Sequence, residues 1–234
     1  MAGLIAGSFL STLILRWPND RGLGGRSACD GCGRTLTWLK LVPLLSYLRQ
    51  RGRCAACAAP IDRMHPAMEL SCAVAGGAAM AVAPGWAGGT GALFGWLLIT
   101  LAVLDLRHFW LPDRLTLLLA ATGLLSGLAD PSITYADRMI GGLAGFAGLW
   151  AIAWIYRKAR GREGLGGGDP KLFGAIGLWL GWQVLPFVLL GASGVGLMVV
   201  LILMLRGRAV TATMRVPFGT LLATAAFSAW LLMR

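Results

Sequence analysis

Apolar runs recur along almost the whole chain, and no other feature limits its fold so strongly. They lie at 1–15, 67–83, 88–105, 114–129, 136–156, 170–182, 185–205 and 217–233. A hydrocarbon core about 30 Å thick takes about 20 apolar residues as a helix, because a helix satisfies its backbone polar groups without water. Only 13% of the 234 residues are charged and 57% are hydrophobic, about half the charge of a soluble domain. The expected class is an all-α polytopic membrane protein with about eight transmembrane helices. The run at 170–182 is the weakest, being short and interrupted by glycines. The run at 1–15 is also short, so Arg16 must snorkel or the span must begin upstream. No cleavage signal follows it, so it reads as a first span and not a removable signal peptide. The pairs Gly91/Gly95, Gly123/Gly127, Gly141/Gly145 and Gly177/Gly181 have the spacing that lines one helix face with small residues and lets backbones approach.

Charge orients these spans. The net charge is +11, and Lys and Arg fall nine in 16–66, two in 106–114, five in 157–171 and three in 206–216, nineteen of 21. Only Arg138 and Arg234 belong to the other side. The positive-inside rule then makes the odd-to-even loops cytoplasmic and leaves both termini outside. Topology explains the basic balance without nucleic acid as a partner.

The cytoplasmic loop 16–66 holds four of the five cysteines. Cys29-x-x-Cys32 and Cys54-x-x-Cys57 are 21 residues apart, one beyond the usual zinc-ribbon range. Two such turns can set four thiolates tetrahedrally around Zn²⁺, with Gly31 and Gly33 easing the first turn. Four cysteines leave no open position, so the ion is expected to be structural. A cytoplasmic loop disfavours disulfides as the alternative. Cys72 reads as a small apolar residue in a helix, and His65 as a local structural residue before Pro66. The organisation is thus a first helix at 1–15, a four-cysteine zinc-binding loop at 16–66 and a seven-helix membrane domain at 67–234.

Two carboxylates stand out on the same cytoplasmic face. Asp105 ends an apolar run, where a charge is costly and functional by default. Asp169 closes Gly166-Gly167-Gly168-Asp169-Pro170-Lys171, which also has the form of a loop entering a capped helix. Asp113 follows Pro112 and reads as an N-cap. Lys171 reads as a snorkelling anchor or as an offset to Asp169. A phosphate loop is excluded, because Lys171 follows Asp-Pro and no Ser or Thr follows it. An ion-coupled transporter would place carboxylates near mid-span and show an inverted repeat, and neither pattern is present. A zinc-stabilised scaffold is the remaining rival.

Read in order, Gly7-Ser8-Phe9-Leu10, the cysteine pairs, Pro43 to Tyr47, Gly52-Arg53-Cys54, Pro66 to Glu69, Asp105 with Leu111-Pro112-Asp113, and Gly166-x-Gly168-Asp169-x-Lys171-Leu172 resemble the type IV prepilin peptidases. These are membrane aspartic peptidases of the Gly-x-Gly-Asp type, and the likeness covers nearly the whole chain. It implies Asp105 and Asp169 as catalytic residues, with Gly166, Gly168 and Lys171 positioning the loop. It implies cleavage of a basic leader at the cytoplasmic face of the bacterial inner membrane, from prepilins of type IV pili or pseudopilins of type II secretion. Methylation of the new N-terminus by S-adenosylmethionine is implied too, with the cysteine loop tied to that step. Ser11 stands where that family commonly has Asn, and His65 where it commonly has Tyr.

Two neighbouring carboxylates share a proton, so one can activate water while the other polarises the scissile carbonyl. Asp169 starts a helix, whose dipole favours the anion, and Asp105 ends one, whose dipole disfavours it. This bias makes Asp169 the expected resting base and Asp105 the acid.

Overall fold

The computed structural model describes residues 1–19, 22–207 and 216–234. Arg21, Arg208 and Arg215, counted above with the basic loops, lie outside the described residues. The helices are α1 (Ala2–Arg16), α2 (Leu45–Arg49), α3 (Met64–Val82), α4 (Trp86–His108), α5 (Asp113–Leu125), α6 (Tyr135–Arg160), α7 (Asp169–Leu180), α8 (Leu185–Leu205) and α9 (Phe218–Leu232). Among the described residues there is no strand, only two isolated antiparallel bridges in the cysteine loop.

Each expected apolar run holds one helix, but the helices are unequal. Among the described residues, α4, α6 and α8 are the helices both long and apolar enough to cross a membrane, and α9 is a shorter apolar helix. With 12 and 13 residues, α7 and α5 reach only about 18 and 20 Å at 1.5 Å per residue. Helix ends here are set by local chemistry. Thr134 accepts the Asp137 N–H at the start of α6, and Gly161 closes that helix at φ +65°. Gly181, expected to continue a helix face, instead ends α7 at φ +74°, where a side chain would be strained.

The packing follows the small residues. Helix α6 lies on α7, α1 on α3, α3 on α4, α4 and α8 on α9, and α5 on α7. A Cβ on Gly177 would collide with the Gly141 carbonyl oxygen, so the α6 and α7 backbones are in contact there. Gly91 and Gly95 of α4 make room for Trp230 and Phe227 of α9. At the centre Phe94 stacks on Trp179 (centroids 4.5 Å), and the Trp179 indole N–H donates to the Leu119 carbonyl of α5 (2.8 Å). Aliphatic residues of α6 and α8, such as Leu143, Leu190 and Leu197, stay exposed on the outside of the bundle. That distribution suits lipid and would be costly in water.

Arg138 differs from its expected role as a loop charge. It is 1% exposed, and its guanidinium donates to the carbonyls of Gly123 (2.9 Å) and Leu178 (3.0 Å) and to the Ser126 hydroxyl (2.9 Å). These carbonyls lie at the ends of α5 and α7, which a helix cannot satisfy internally. One arginine therefore ties the far ends of the two short helices together.

Candidate active site

Asp105 lies one turn from the end of α4. Phe109 adopts the left-handed conformation at φ +50° and its N–H closes back onto the Asp105 carbonyl (2.8 Å), which stops the helix and turns the chain into the Leu111-Pro112 loop. The Asp105 carboxylate is buried and meets the first turn of α9. The Thr220 N–H donates to Asp105 Oδ2 (2.8 Å), and the Thr220 hydroxyl lies 3.2 Å from the same oxygen and 2.8 Å from the Ala102 carbonyl. A Cβ on Gly219 would stand 3.0 Å from Asp105 Oδ2, so that turn must be glycine to come this close.

Asp169 occupies the first turn of α7, after Gly168 at the N-cap, and is equally buried. Its Oδ2 accepts the Gly166 N–H (3.0 Å). Both carboxylates open onto one cavity of about 180 Å³, together with Phe109, Trp110, Leu111 and Gly166 to Gly168. A carboxylate from each of two elements facing one cavity is the arrangement that general acid–base hydrolysis needs.

The structure alters three expectations. Pro112 is the N-cap of α5, and Asp113 makes no cap bond; its Oδ1 takes the Lys171 Nζ at 2.6 Å. Lys171 is thus neither a free anchor nor an offset to Asp169, but half of a strap joining the α4–α5 loop to α7. Both side chains are largely exposed, so in water the pair would be worth at most about 1 kcal/mol. Gly168 faces Leu111, whose Cβ would be 2.7 Å from an added Cβ, so this glycine serves contact between the two site loops; Gly167 has open space. Finally, Asp105 sits at the start of α9 as well as the end of α4. The dipole distinction between the two carboxylates disappears, since both now rest on helix N-termini.

The four expected cysteines come together. All four Sγ atoms lie within 4.8 Å of one another, and Cys29 Sγ is 3.7 Å from Cys57 Sγ. The two turns are built alike: Gly33 N–H returns to the Cys29 carbonyl (2.8 Å) and Ala58 N–H to the Cys54 carbonyl (2.9 Å), with both donors at positive φ. The Ala56 N–H, first among several donors, holds the Cys54 thiol down to about 6, while against the Ala59 N–H the neighbouring thiols, led by Cys32, push Cys57 up to about 11, so the four thiols share charge unequally. The cluster could hold a metal ion. Gly31 admits the second turn, since a Cβ there would meet that of Ala59 at 2.7 Å. Cys72 is buried as expected.

Sequence reasoning missed the carboxylate's partner Thr220 and the roles of Glu69 and Arg138. The two departures from the family pattern, however, touch: Ser11 Oγ and His65 Nδ1 are 2.7 Å apart.

An apolar helical bundle with two buried carboxylates on one cleft and an appended cysteine-turn domain has the layout of a membrane hydrolase. Residues 1–83 match the bacterial peptidase A24 N-terminal domain, and residues 92–202 the type IV leader peptidase family. A prepilin leader peptidase/N-methyltransferase of Aeromonas hydrophila is 39% identical over 97% of this chain and 87% of its own. Proteins of the same name from Burkholderia pseudomallei and Pseudomonas aeruginosa are 37% and 32% identical, over 94% and 99% of this chain and 80% and 88% of theirs. No solved structure matches. The chain belongs to the type IV leader peptidase family.

Proposed function

We propose that this protein is a membrane aspartic endopeptidase that removes the basic leader from type IV prepilins or type II pseudopilins and then N-methylates the new N-terminus. The observation that carries this is the convergence of Asp105 and Asp169, both buried, on one small cavity beside a glycine loop. The relatives' name agrees with both steps. From the charge of the loops we read the cavity and the cysteine domain as facing the cytoplasm from the inner membrane, with both termini outside.

Hydrogen bonds set the starting protonation. Asp105 Oδ2 takes the Thr220 N–H at 2.8 Å, with the Thr220 hydroxyl shared between this oxygen (3.2 Å) and the Ala102 carbonyl (2.8 Å), against one N–H at 3.0 Å on Asp169. Donors to the charged form favour it, so Asp105 is the resting base, the reverse of the dipole argument. Asp105 takes a proton from water, which attacks the scissile carbonyl. Asp169 donates a hydrogen bond to that oxygen and then protonates the leaving amine. The proton is shared by the coupled pair throughout. The substrate's apolar helix packs beside the bundle in the membrane and supplies most of the binding.

For the metal, Zn²⁺ fits the donor set. Thiolates at about 2.3 Å from a tetrahedral ion are about 3.8 Å apart, close to the Cys29–Cys57 separation of 3.7 Å. Cys29, Cys32, Cys54 and Cys57 would hold it and thereby fix the loop against α1 and α3. The test is incubation of the purified protein with a prepilin in detergent, read by mass spectrometry. The expected product lacks the leader and, with S-adenosylmethionine added, is one methyl group heavier. An unchanged prepilin mass would overturn the proposal.

A further inference from the structure

A second cavity, of about 630 Å³, lies between α1, the start of α3 and the cysteine loop. Its size is that of a small-molecule site, several times that of the cleavage pocket. The two are neighbours: Trp17, beside the cavity residue Arg16, packs edge-on against Trp110 of the cleavage pocket (5.7 Å).

Its floor is built for a cation. Glu69 is 5% exposed. Its Oε2 accepts the N–H of Leu44 (2.7 Å), a residue held at φ +57° at the start of α2. Glu69 also lines the cavity. A non-glycine residue in that conformation costs about 1–3 kcal/mol, so the surrounding fold over-determines the arrangement. One turn earlier, His65 lines the same cavity. The Ser11 hydroxyl lies 2.8 Å from the Ser8 carbonyl and 2.7 Å from His65 Nδ1; with its proton on that carbonyl, it accepts from Nδ1–H. The neutral ring then carries its lone pair on Nε2.

We propose that this cavity is the methyl-transfer site, in which Glu69 binds the α-ammonium group of the cleaved pilin and His65 Nε2 takes its proton. The inference rests on the N-methylation reading above. The cavity fits the donor as well: Asp30, Asp62 and Glu69 suit a sulfonium cation, and Arg16 and Lys40 suit its amino-acid carboxylate. S-adenosylmethionine supplies the methyl: the freed amine lone pair forms the N–C bond, and the C–S pair returns to sulfur as S-adenosylhomocysteine leaves. An α-amino group is mostly protonated at pH 7, so it must lose a proton before it can accept a methyl. His65 receives that proton and passes it to water. Glu69 holds the nitrogen in place.

The test uses the full-length protein in detergent with a prepilin, and three readouts: leader cleavage, methylation of the cleaved product, and binding of radiolabelled S-adenosylhomocysteine. Glu69→Gln keeps an acceptor for Leu44, and is expected to lower methylation about 30-fold or more, mainly through the KM for the cleaved pilin, while cleavage continues. His65→Phe is expected to lower the methylation kcat about 100-fold with S-adenosylhomocysteine binding retained. Ser8→Trp, which fills the cavity from α1, is expected to abolish S-adenosylhomocysteine binding. Wild-type methylation in Glu69→Gln and His65→Phe, or undiminished binding in Ser8→Trp, would overturn the assignment. A wild-type protein that cleaves but neither methylates nor binds S-adenosylhomocysteine would overturn the methyl-transfer reading beneath it.

Discussion

Thr220, at the first turn of α9, holds Asp105 from 115 residues away: its N–H reaches Oδ2 at 2.8 Å and its hydroxyl lies 3.2 Å from the same atom. Thr220→Val keeps the shape and the N–H and removes the hydroxyl. That hydroxyl also lies 2.8 Å from the Ala102 carbonyl, so it fixes the start of α9 against the end of α4. A hydrogen bond to a charged group is worth about 1.5–3 kcal/mol, so cleavage kcat in Thr220→Val should fall about 10-fold while the fold is kept. Wild-type kcat in that variant would remove Thr220 from the account.

Gly168 and Gly167 are adjacent yet should respond differently. An added Cβ at 168 meets the Leu111 Cβ at 2.7 Å, while at 167 it meets nothing within 4 Å. Gly168→Ala must push the glycine loop away from the α4–α5 loop and separate the carboxylates. Cleavage should fall about 10-fold or more, since misplacement of about 1 Å costs that much or more. Gly167→Ala should lose far less. Steady-state kinetics on both variants provides the comparison.

Arg138→Met leaves the Leu178 carbonyl and the Ser126 hydroxyl without their buried guanidinium donor, while the Gly123 carbonyl keeps the Ser126 hydroxyl (2.7 Å). The expected loss is about 3 kcal/mol, or about 6–12 °C in Tm, by thermal unfolding in detergent. Arg138→Lys should rescue little, because one ammonium cannot reproduce the planar fork of donors.

At the same end of the bundle, burial pushes the Asp130 carboxyl up, but hydrogen bonds led by that from Arg234 outweigh it and hold the group at about 2. An acid with a depressed folded pKa adds stability above its unfolded value, about 3.9, and loses it as pH falls through the folded one. Arg234→Gln should thus be less stable than wild type at neutral pH, and the gap should close between about pH 4 and 2. Tm measured against pH reads this directly.

How much of this could be read in advance depends on whether the signal is local. Apolar runs placed every long helix, because burial in lipid needs only composition. Their lengths were less legible: α7 has only 12 residues and packs on α5 and α6. The joint facing of Asp105 and Asp169 was legible from the charge of their loops. The cysteine cluster was legible from its spacing. Thr220 was not, since no local pattern shows which helix start will meet a carboxylate over a hundred residues earlier. Asp113 misled because Pro-Asp before an apolar run is a capping pattern, and its partner Lys171 is supplied only by tertiary contact. The pairing of Ser11 with His65 shows the converse: two deviations from a family pattern, unrelated in sequence, became one hydrogen bond in space.

The central claim is that Asp105 and Asp169 act as one catalytic pair. The most direct measurement compares leader cleavage by wild type, Asp105→Asn and Asp169→Asn, each purified in detergent and shown to keep its Tm. Each single change should abolish cleavage, because neither an asparagine base nor an asparagine acid can complete the proton transfers. Cleavage at the wild-type rate in either folded variant would contradict the account.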